Sequence, residues 1–296
     1  MMGAVYALTA SLSWAISSTI LKYLTTRIDT LSLNTLRLFI ASLVLLTLTF
    51  LLGRGNEFVG IPLMSLVYLI ISGVIALAIG DILYIKSLSY LNVSQAFPVA
   101  QCSNPVFTMI LAFSLLGESF TWVTILGAFL ALLGIYLITS RQITPGINSS
   151  PSRTRGKGII LALTAGAAWS IATVTIKLGA MEMDPLVAAA IRMSSAIIAV
   201  LPFTLSQRKK GTLQLRKYGS RSLALALTSG IIDYALGVTL FITAIQLIGA
   251  GKSVVLAATS PLLLLPFSVF ILKEKITRLT LMGIFTGATG ICLVAI

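Results

Sequence analysis

The sequence predicts an all-α polytopic membrane protein of ten transmembrane helices, arranged as two inverted five-helix repeats. Three observations predict it. Of 296 residues, 57% are hydrophobic and only 10% charged, against roughly 25% charged in soluble domains. The apolar residues fall in continuous runs of about 20, the length that spans a bilayer as a helix, and not in the alternating pattern of an outer-membrane barrel. The two halves of the chain also repeat each other in register. A water-soluble fold of this size lacks the charges to cover its surface, and its apolar excess would aggregate. A soluble enzyme, a nucleic-acid binder and a disordered chain are thereby excluded.

The ten runs lie at approximately 3–24, 33–52, 61–85, 93–116, 121–139, 158–178, 185–206, 221–247, 252–272 and 278–296. The first has no basic leader and is too long for a signal peptide. It carries Trp14 at mid-span and ends on Lys22. The second opens with Arg37 in its first turns, and the third holds Asp81 and Tyr84 near its far end. The fourth contains Gln101, Asn104 and Pro105, and the fifth is a glycine-spaced helix behind Glu118. A Ser-, Pro-, Gly- and Arg-rich stretch, SRQITPGINSSPSRTRGK, then separates a first repeat, 1–140, from a second, 158–296, with 141–157 as linker. The sixth run carries Trp169, the seventh Arg192, the eighth Asp233 and Tyr234, the ninth Pro261, and the tenth follows Glu274.

The repeat is direct in sequence. GAVYALTASLSWAISSTILK at 3–22 and GIILALTAGAAWSIATVTIK at 158–177 share 8 of 20 positions, including Trp14 with Trp169 and Lys22 with Lys177. The same offset of 155 pairs Asp29 with Asp184 and Arg37 with Arg192. An offset of 156 pairs Pro105 with Pro261, Glu118 with Glu274, Gly127 with Gly283 and Gly134 with Gly290. Five spans per repeat is an odd number, so the second repeat enters the bilayer from the opposite side. Inverted repeats of this kind place a substrate site near the midplane between them.

The net charge of +13 sits in short loops between apolar runs. Sixteen Lys and Arg fall in loops on one side and 3 on the other. The richer side, with 140–157 and 206–221, is expected in the cytoplasm of a plasma-membrane protein, with both termini outside. No aromatic-basic patch suggests nucleic acid. Histidine is absent, which removes His-based catalysis and His metal sites. Cys102 and Cys292 each lie in an apolar run and read as packing residues. No metal site and no cofactor are expected.

Three features together resemble the drug/metabolite transporter superfamily in its EamA-type ten-helix branch. They are the duplicated five-helix unit, the Trp14/Trp169 and Arg37/Arg192 pattern, and a repeated ending. That ending reads NPVFTMILAFSLLGESFTWVTILGAFLALLGIYLI in the first half and SPLLLLPFSVFILKEKITRLTLMGIFTGATGICLVAI in the second. The resemblance implies a carrier for small metabolites, often an exporter of amino acids or related compounds. It also implies a central cavity lined by spans 1, 3, 4, 6, 8 and 9. The related small multidrug-resistance transporters use a glutamate in the first helix. Spans 1 and 6 here carry no acid, which leaves Asp233 or Asp81 as substitutes.

Asp233 lies deep in span 8, where an ionised carboxylate costs about 2.5–3.5 kcal/mol on insertion scales. Either it faces the cavity and binds a proton, a cation or a substrate amine, or it is protonated or hydrogen-bonded to a neighbouring helix. Gly230 and Gly237 flank it on nearly one face and thin the wall beside it. Asp81, near Lys86 and Arg37 in topology, reads as a structural ion pair or a second coupling group. Arg37 with Glu274, and Arg192 with Glu118, are expected to form two cross-repeat ion pairs that gate the two faces, or else to snorkel. Trp14 and Trp169 stack on a substrate or simply pack. Tyr84, Tyr234, Gln101 and Asn104 are further candidate binding groups, and Pro105 and Pro261 are expected to kink their helices. The glycine faces of spans 5 and 10 read as packing surfaces between repeats or between two copies of the chain, so a monomer and a homodimer both remain open.

The reading is a secondary transporter that moves a small polar or amphipathic metabolite by alternating access, with a proton as expected coupling ion and export as expected direction. No P-loop is present. An intramembrane enzyme on lipid-linked substrates and a passive channel are the alternatives. The clustered acids, histidines or metal ligands that an enzyme needs are missing.

Overall fold

The computed structural model describes residues 2–116, 121–140, 152–209, 218–274 and 276–294, and these are helical throughout their long elements. In the first repeat α1 is Met2–Leu24, α2 Thr30–Leu51, α3 Leu63–Leu88, α4 Val93–Leu116 and α5 Trp122–Ser140. In the second, α6 is Ser152–Gly179, α7 Pro185–Lys209, α8 Ser220–Ile248 and α10 Arg278–Val294. Between the last two, α9 comes in two pieces, Ala250–Ala257 and Ser260–Phe270. Helices α1, α2, α3, α6, α7 and α8 are each long and apolar enough to cross a membrane. Of the other four, α4 carries Pro98 and Pro105 inside it, α9 is broken in two, and α5 and α10 are apolar helices of 19 and 17 residues.

Local chemistry explains the boundaries. Asp29 caps α2, its carboxylate accepting from the Ser32 amide at 2.9 Å. Gly249, at φ +80°, is the single residue between α8 and α9, a conformation that costs other residues more. The break in α9 falls just before Pro261, which has no N–H to continue the ladder. Pro105 lies inside α4, which runs on through it. The first turns of α6 begin at Ser152, so residues 152–157, read as linker from their composition, are helical. Lys157 there lies over the Tyr90 ring, its Nζ 5.5 Å from the centroid.

Packing exchanges helices between the repeats. Helix α1 of the first repeat packs on α8 and α9 of the second, and α6 of the second packs on α3 and α4 of the first. The counterparts α2 and α7 pack on each other, as do α5 and α10. Both pairs run antiparallel. Thr35 meets Thr204 at 2.8 Å and, deeper in the bilayer, Ser42 meets Ser194 at 2.9 Å. That is the inverted relation that five spans per repeat require. Small residues allow the close approach: a Cβ on Gly134 would stand 2.6 Å from the Gly283 carbonyl and the Gly287 backbone. The glycine face of α5 therefore joins the repeats within this chain. The outer surface is apolar, with Phe39, Phe50, Ile198 and Phe203 exposed, as lipid demands and water would not tolerate.

Two departures from ordinary helix geometry matter. Gly73–Gly80 in α3 and Ile231–Val238 in α8 are π-helical. They occupy matching places in the two repeats, and π segments concentrate where a helix must re-aim its side chains. Glycines bracket both. A Cβ on Gly73 would stand 2.3 Å from the Arg192 carbonyl, and one on Gly230 would stand 2.6 Å from the Arg37 carbonyl. A Cβ on Gly80 would meet the Trp169 indole at 3.3 Å, and one on Gly237 would meet Trp14 Nε1 at 2.9 Å. Each repeat thus presses its π segment against the arginine and the tryptophan of the other.

Candidate functional site

A cavity of about 100 Å³ lies between the repeats. Trp14, Tyr84, Gln101, Asn104, Trp169, Asp233 and Tyr234 all line it, together with Asp81, Arg37 and Arg192. The walls come from α1, α3, α4, α6, α8 and α9, with α2 and α7 each contributing its arginine.

One side of the cavity is a bonded cluster. Arg37 is 1% exposed. It pairs with Asp233 Oδ2, donates through Nη1 to Tyr234 Oη at 3.0 Å, and lies over the Tyr234 ring with Cζ 4.3 Å from the centroid. Ser17 of α1 donates to the same Asp233 oxygen at 2.8 Å. Tyr234 Oη also contacts Asn34 Oδ1 at 2.8 Å and Asp81 Oδ2 at 2.6 Å. The Asn34 amide is oriented by its Nδ2, which donates to the Leu77 carbonyl at 2.7 Å. The second Asp81 oxygen accepts from Trp169 Nε1 at 2.8 Å. Five helices, α1, α2, α3, α6 and α8, are tied together through this cluster.

The two tryptophans occupy equivalent places with different partners. Trp169 packs on Tyr84, centroids 5.4 Å apart, and spends its N–H on Asp81. Trp14 packs edge-on against Phe241 at 5.1 Å, and no acceptor among the described residues takes its N–H. On the α4 wall, Asn104 Oδ1 accepts from Thr108 at 3.1 Å, and Thr108 reaches Ser170 of α6 at 3.1 Å.

The expected ion pairs form differently. Arg37 pairs with Asp233 and not with Glu274, because α8 packs directly on α2 while Glu274 lies at a helix end. There its two oxygens accept from the amides of Val93 and Ser94 at 2.9 and 3.1 Å, which caps α4 where the amides are unpaired and the helix dipole is positive. Asp81 makes no ion pair with Lys86 or Arg37 among the described residues. Lys86 points out of the bundle, and Asp81 is spent on Tyr234 and Trp169. Arg192 donates through Nε to Ser72 at 2.9 Å. Its expected partner, Glu118, lies outside the described residues.

The reading from sequence missed Asn34, Ser17 and Ser72. Asn34 stands three residues before Arg37, on one helix face, which is the one signal that could have found it. Ser17 and Ser72 are indistinguishable in sequence from the many serines that pack membrane helices.

The architecture of exchanged helices around a central charged cavity is matched at the level of sequence families. The model of the EamA-like transporter family matches residues 1–140 and again 156–296. The chain belongs to the EamA-like transporter family. The two matched stretches are the two five-helix repeats. This EamA-like transporter is 27% identical over 287 residues to an uncharacterized transporter of Archaeoglobus fulgidus, covering 97% of this chain and 95% of that protein. It is 32% identical over 111 residues to an uncharacterized transporter of Clostridium kluyveri, covering 37% of this chain and 34% of the relative. A solved crystal structure superposes with a TM-score of 0.69 at 17% identity, covering 98% of this chain and 95% of the other, which supports the fold.

Proposed function

We propose that this EamA-like transporter is a secondary carrier that moves a small polar or amphipathic metabolite across the cell membrane by alternating access, with protons as coupling ion and export as its direction. Loops 140–157 and 206–221 face the cytoplasm in this reading, following the charge bias. The observation that carries it is the Arg37–Asp233–Tyr234–Asp81 cluster, which lines the cavity at the interface of the two repeats.

Proton counting supports the coupling role. The Tyr234 hydroxyl has one proton and two neighbouring acceptors, Asn34 Oδ1 and Asp81 Oδ2. Asn34 Oδ1 can only accept. When the tyrosine proton goes to Asn34, the 2.6 Å contact to Asp81 is a hydrogen bond only if Asp81 carries a proton of its own. When Asp81 is ionised, the tyrosine turns to it and Asn34 is left unsatisfied. The groups that face Asp81 are Tyr234 and Asp233 on α8, Arg37 on α2, Trp169 on α6 and Arg192 on α7, with Tyr84 on its own helix. Asp233 already has Arg37 as counter-charge, so the proton-exchanging role moves from Asp233, the first choice from sequence, to the pair Asp81–Tyr234.

The test is transport in proteoliposomes. Saturable counterflow identifies a carrier, its absence a channel, and chemical change of the solute an enzyme. Asp81→Asn mimics the protonated form, since its amide donates to Tyr234 Oη and still accepts from Trp169. It should retain exchange, lose accumulation driven by a pH gradient, and flatten the pH profile. Wild-type accumulation with the wild-type pH profile would show that Asp81 carries no coupling proton.

A further inference from the structure

Arg37 and Arg192 are counterparts, yet their surroundings differ. Arg37 is neutralised by Asp233 and covered by Tyr234, both from the segment IIDYALGV. The matching segment beside Arg192 is GVIALAIG, without acid or tyrosine; Asp81, the next residue, lines the same cavity but is bonded to Tyr234 and Trp169 and not to Arg192. Arg192 is 3% exposed and makes no ion pair among the described residues. Its Nε is held by Ser72, and neither Nη group has an acceptor among the described residues, while the side chain forms part of the cavity wall. A guanidinium in a membrane interior without a counter-ion is costly. Holding Nε leaves the end-on fork of the two Nη groups free, the edge that takes a carboxylate with two parallel hydrogen bonds.

We infer that Arg192 is the anion subsite of the cavity and that it receives the carboxylate of a small organic acid, with Ser72 as the positioning residue that aims the fork. The apolar remainder of such a ligand has Trp14, Trp169 and Phe241 to lie against. The inference rests on the cavity being the substrate site, as proposed above, and it adds the substrate class. It also links to the proton. A proton on Asp81 and a carboxylate at Arg192 together leave the net charge of the cavity unchanged.

The test is binding, so that it stands apart from transport. The purified full-length chain in detergent is titrated with matched acids and primary amides, benzoate against benzamide and indole-3-acetate against indole-3-acetamide, and with inorganic phosphate. Thermal stabilisation and tryptophan fluorescence are the readouts. In the wild type at least one acid should bind ten-fold or more tighter than its amide. Arg192→Gln should remove that preference while leaving amide binding in place, and Arg192→Lys should keep part of it. Ser72→Ala removes only the aiming contact and should weaken acid binding several-fold without moving the amide. It also serves if Arg192→Gln does not fold. Equal binding of acid and amide by the wild type, absence of acid binding, binding of phosphate alone, or an unchanged preference in both Arg192→Gln and Ser72→Ala each overturns the subsite. A carrier that fails the counterflow assay but discriminates acid from amide would leave the subsite standing and sink the transport reading.

Discussion

The Arg37–Asp233 pair shows how a single residue can be read correctly as unusual while its partner stays illegible. In sequence Asp233 has no basic neighbour within a helical turn. In the fold its partner comes from α2, at a separation of 196 residues. Removing one member of a buried pair leaves the other charge uncompensated, at a cost of about 3–5 kcal/mol, whereas removing both is often nearly neutral. Asp233→Asn is therefore expected to lower stability in detergent by that order, and Arg37→Gln with Asp233→Asn to recover most of it. Equal stability of the single variant and the wild type in thermal unfolding would mean that the pair is not what holds Arg37. A second residue-scale device sits outside the spans. Burial pushes the Asp29 carboxyl up, but hydrogen bonds from Ser32 and Tyr218 outweigh it and hold the group below its ordinary value of 3.8. The stability it contributes is fully present above that value and is lost as pH falls through the lower folded value. Asp29→Asn should lower stability across the neutral region, where the ionised carboxylate contributes, and flatten the acid limb below about pH 4.

At the scale of elements, the two π segments are what bring chemistry into the cavity. A regular helix of the same sequence would hold Asp81 and Tyr234 in a different rotation relative to the residues before them. The bracketing glycines let these segments lie against neighbouring backbone, and the kind of neighbour sets the penalty for a methyl group. Gly230→Ala meets the Arg37 carbonyl and Cα at 2.6 and 2.8 Å, where backbone must move. Gly80→Ala meets the Ala168 Cβ and the Trp169 indole at 3.0–3.3 Å, where side chains can give by a few tenths of an ångström. Gly230→Ala should destabilise by about 1–3 kcal/mol, and Gly80→Ala by less. An exposed helical glycine would gain about 1 kcal/mol from the same change. A raised melting temperature for Gly230→Ala would show that the close approach is not there.

For the whole molecule, the inverted repeat sets two ends and one centre. At one end Lys22 donates to the Leu88 and Leu91 carbonyls at 2.6 Å while Glu274 takes the amides that open α4, so both sides of the α3–α4 junction are clamped. At the other end Gln246 donates to the Ala180 and Met183 carbonyls at 2.7 and 2.6 Å, and Arg54 pairs with Asp184, closing on the α6–α7 junction. In the alternating-access cycle proposed above, these are the contacts that would release in turn. Orientation is testable in the same frame. With exposed Cys292 replaced by serine, a cysteine at Thr26 should be protected from an impermeant thiol reagent in intact cells and one at Asn56 should be labelled. The reverse pattern would invert the proposed topology.

Composition, run length and the Trp14/Trp169 and Arg37/Arg192 register were enough, without coordinates, to determine a helical membrane protein of two inverted five-helix halves. Those properties are written locally: a bilayer imposes length and apolarity on each span, and duplication leaves matched residues at one offset. The cavity-lining residues were legible for the same reason, since polar groups inside apolar runs have few other uses. Pairing was not legible. Which acid neutralises Arg37, why Glu274 caps a helix instead, and why Arg192 makes no ion pair among the described residues are decided by which helices pack side by side. Two counterpart arginines look equivalent along the chain. Only tertiary packing sets Asp233 and Tyr234 against one of them and leaves the other facing the cavity, because a side chain's electrostatic surroundings come from neighbours in space.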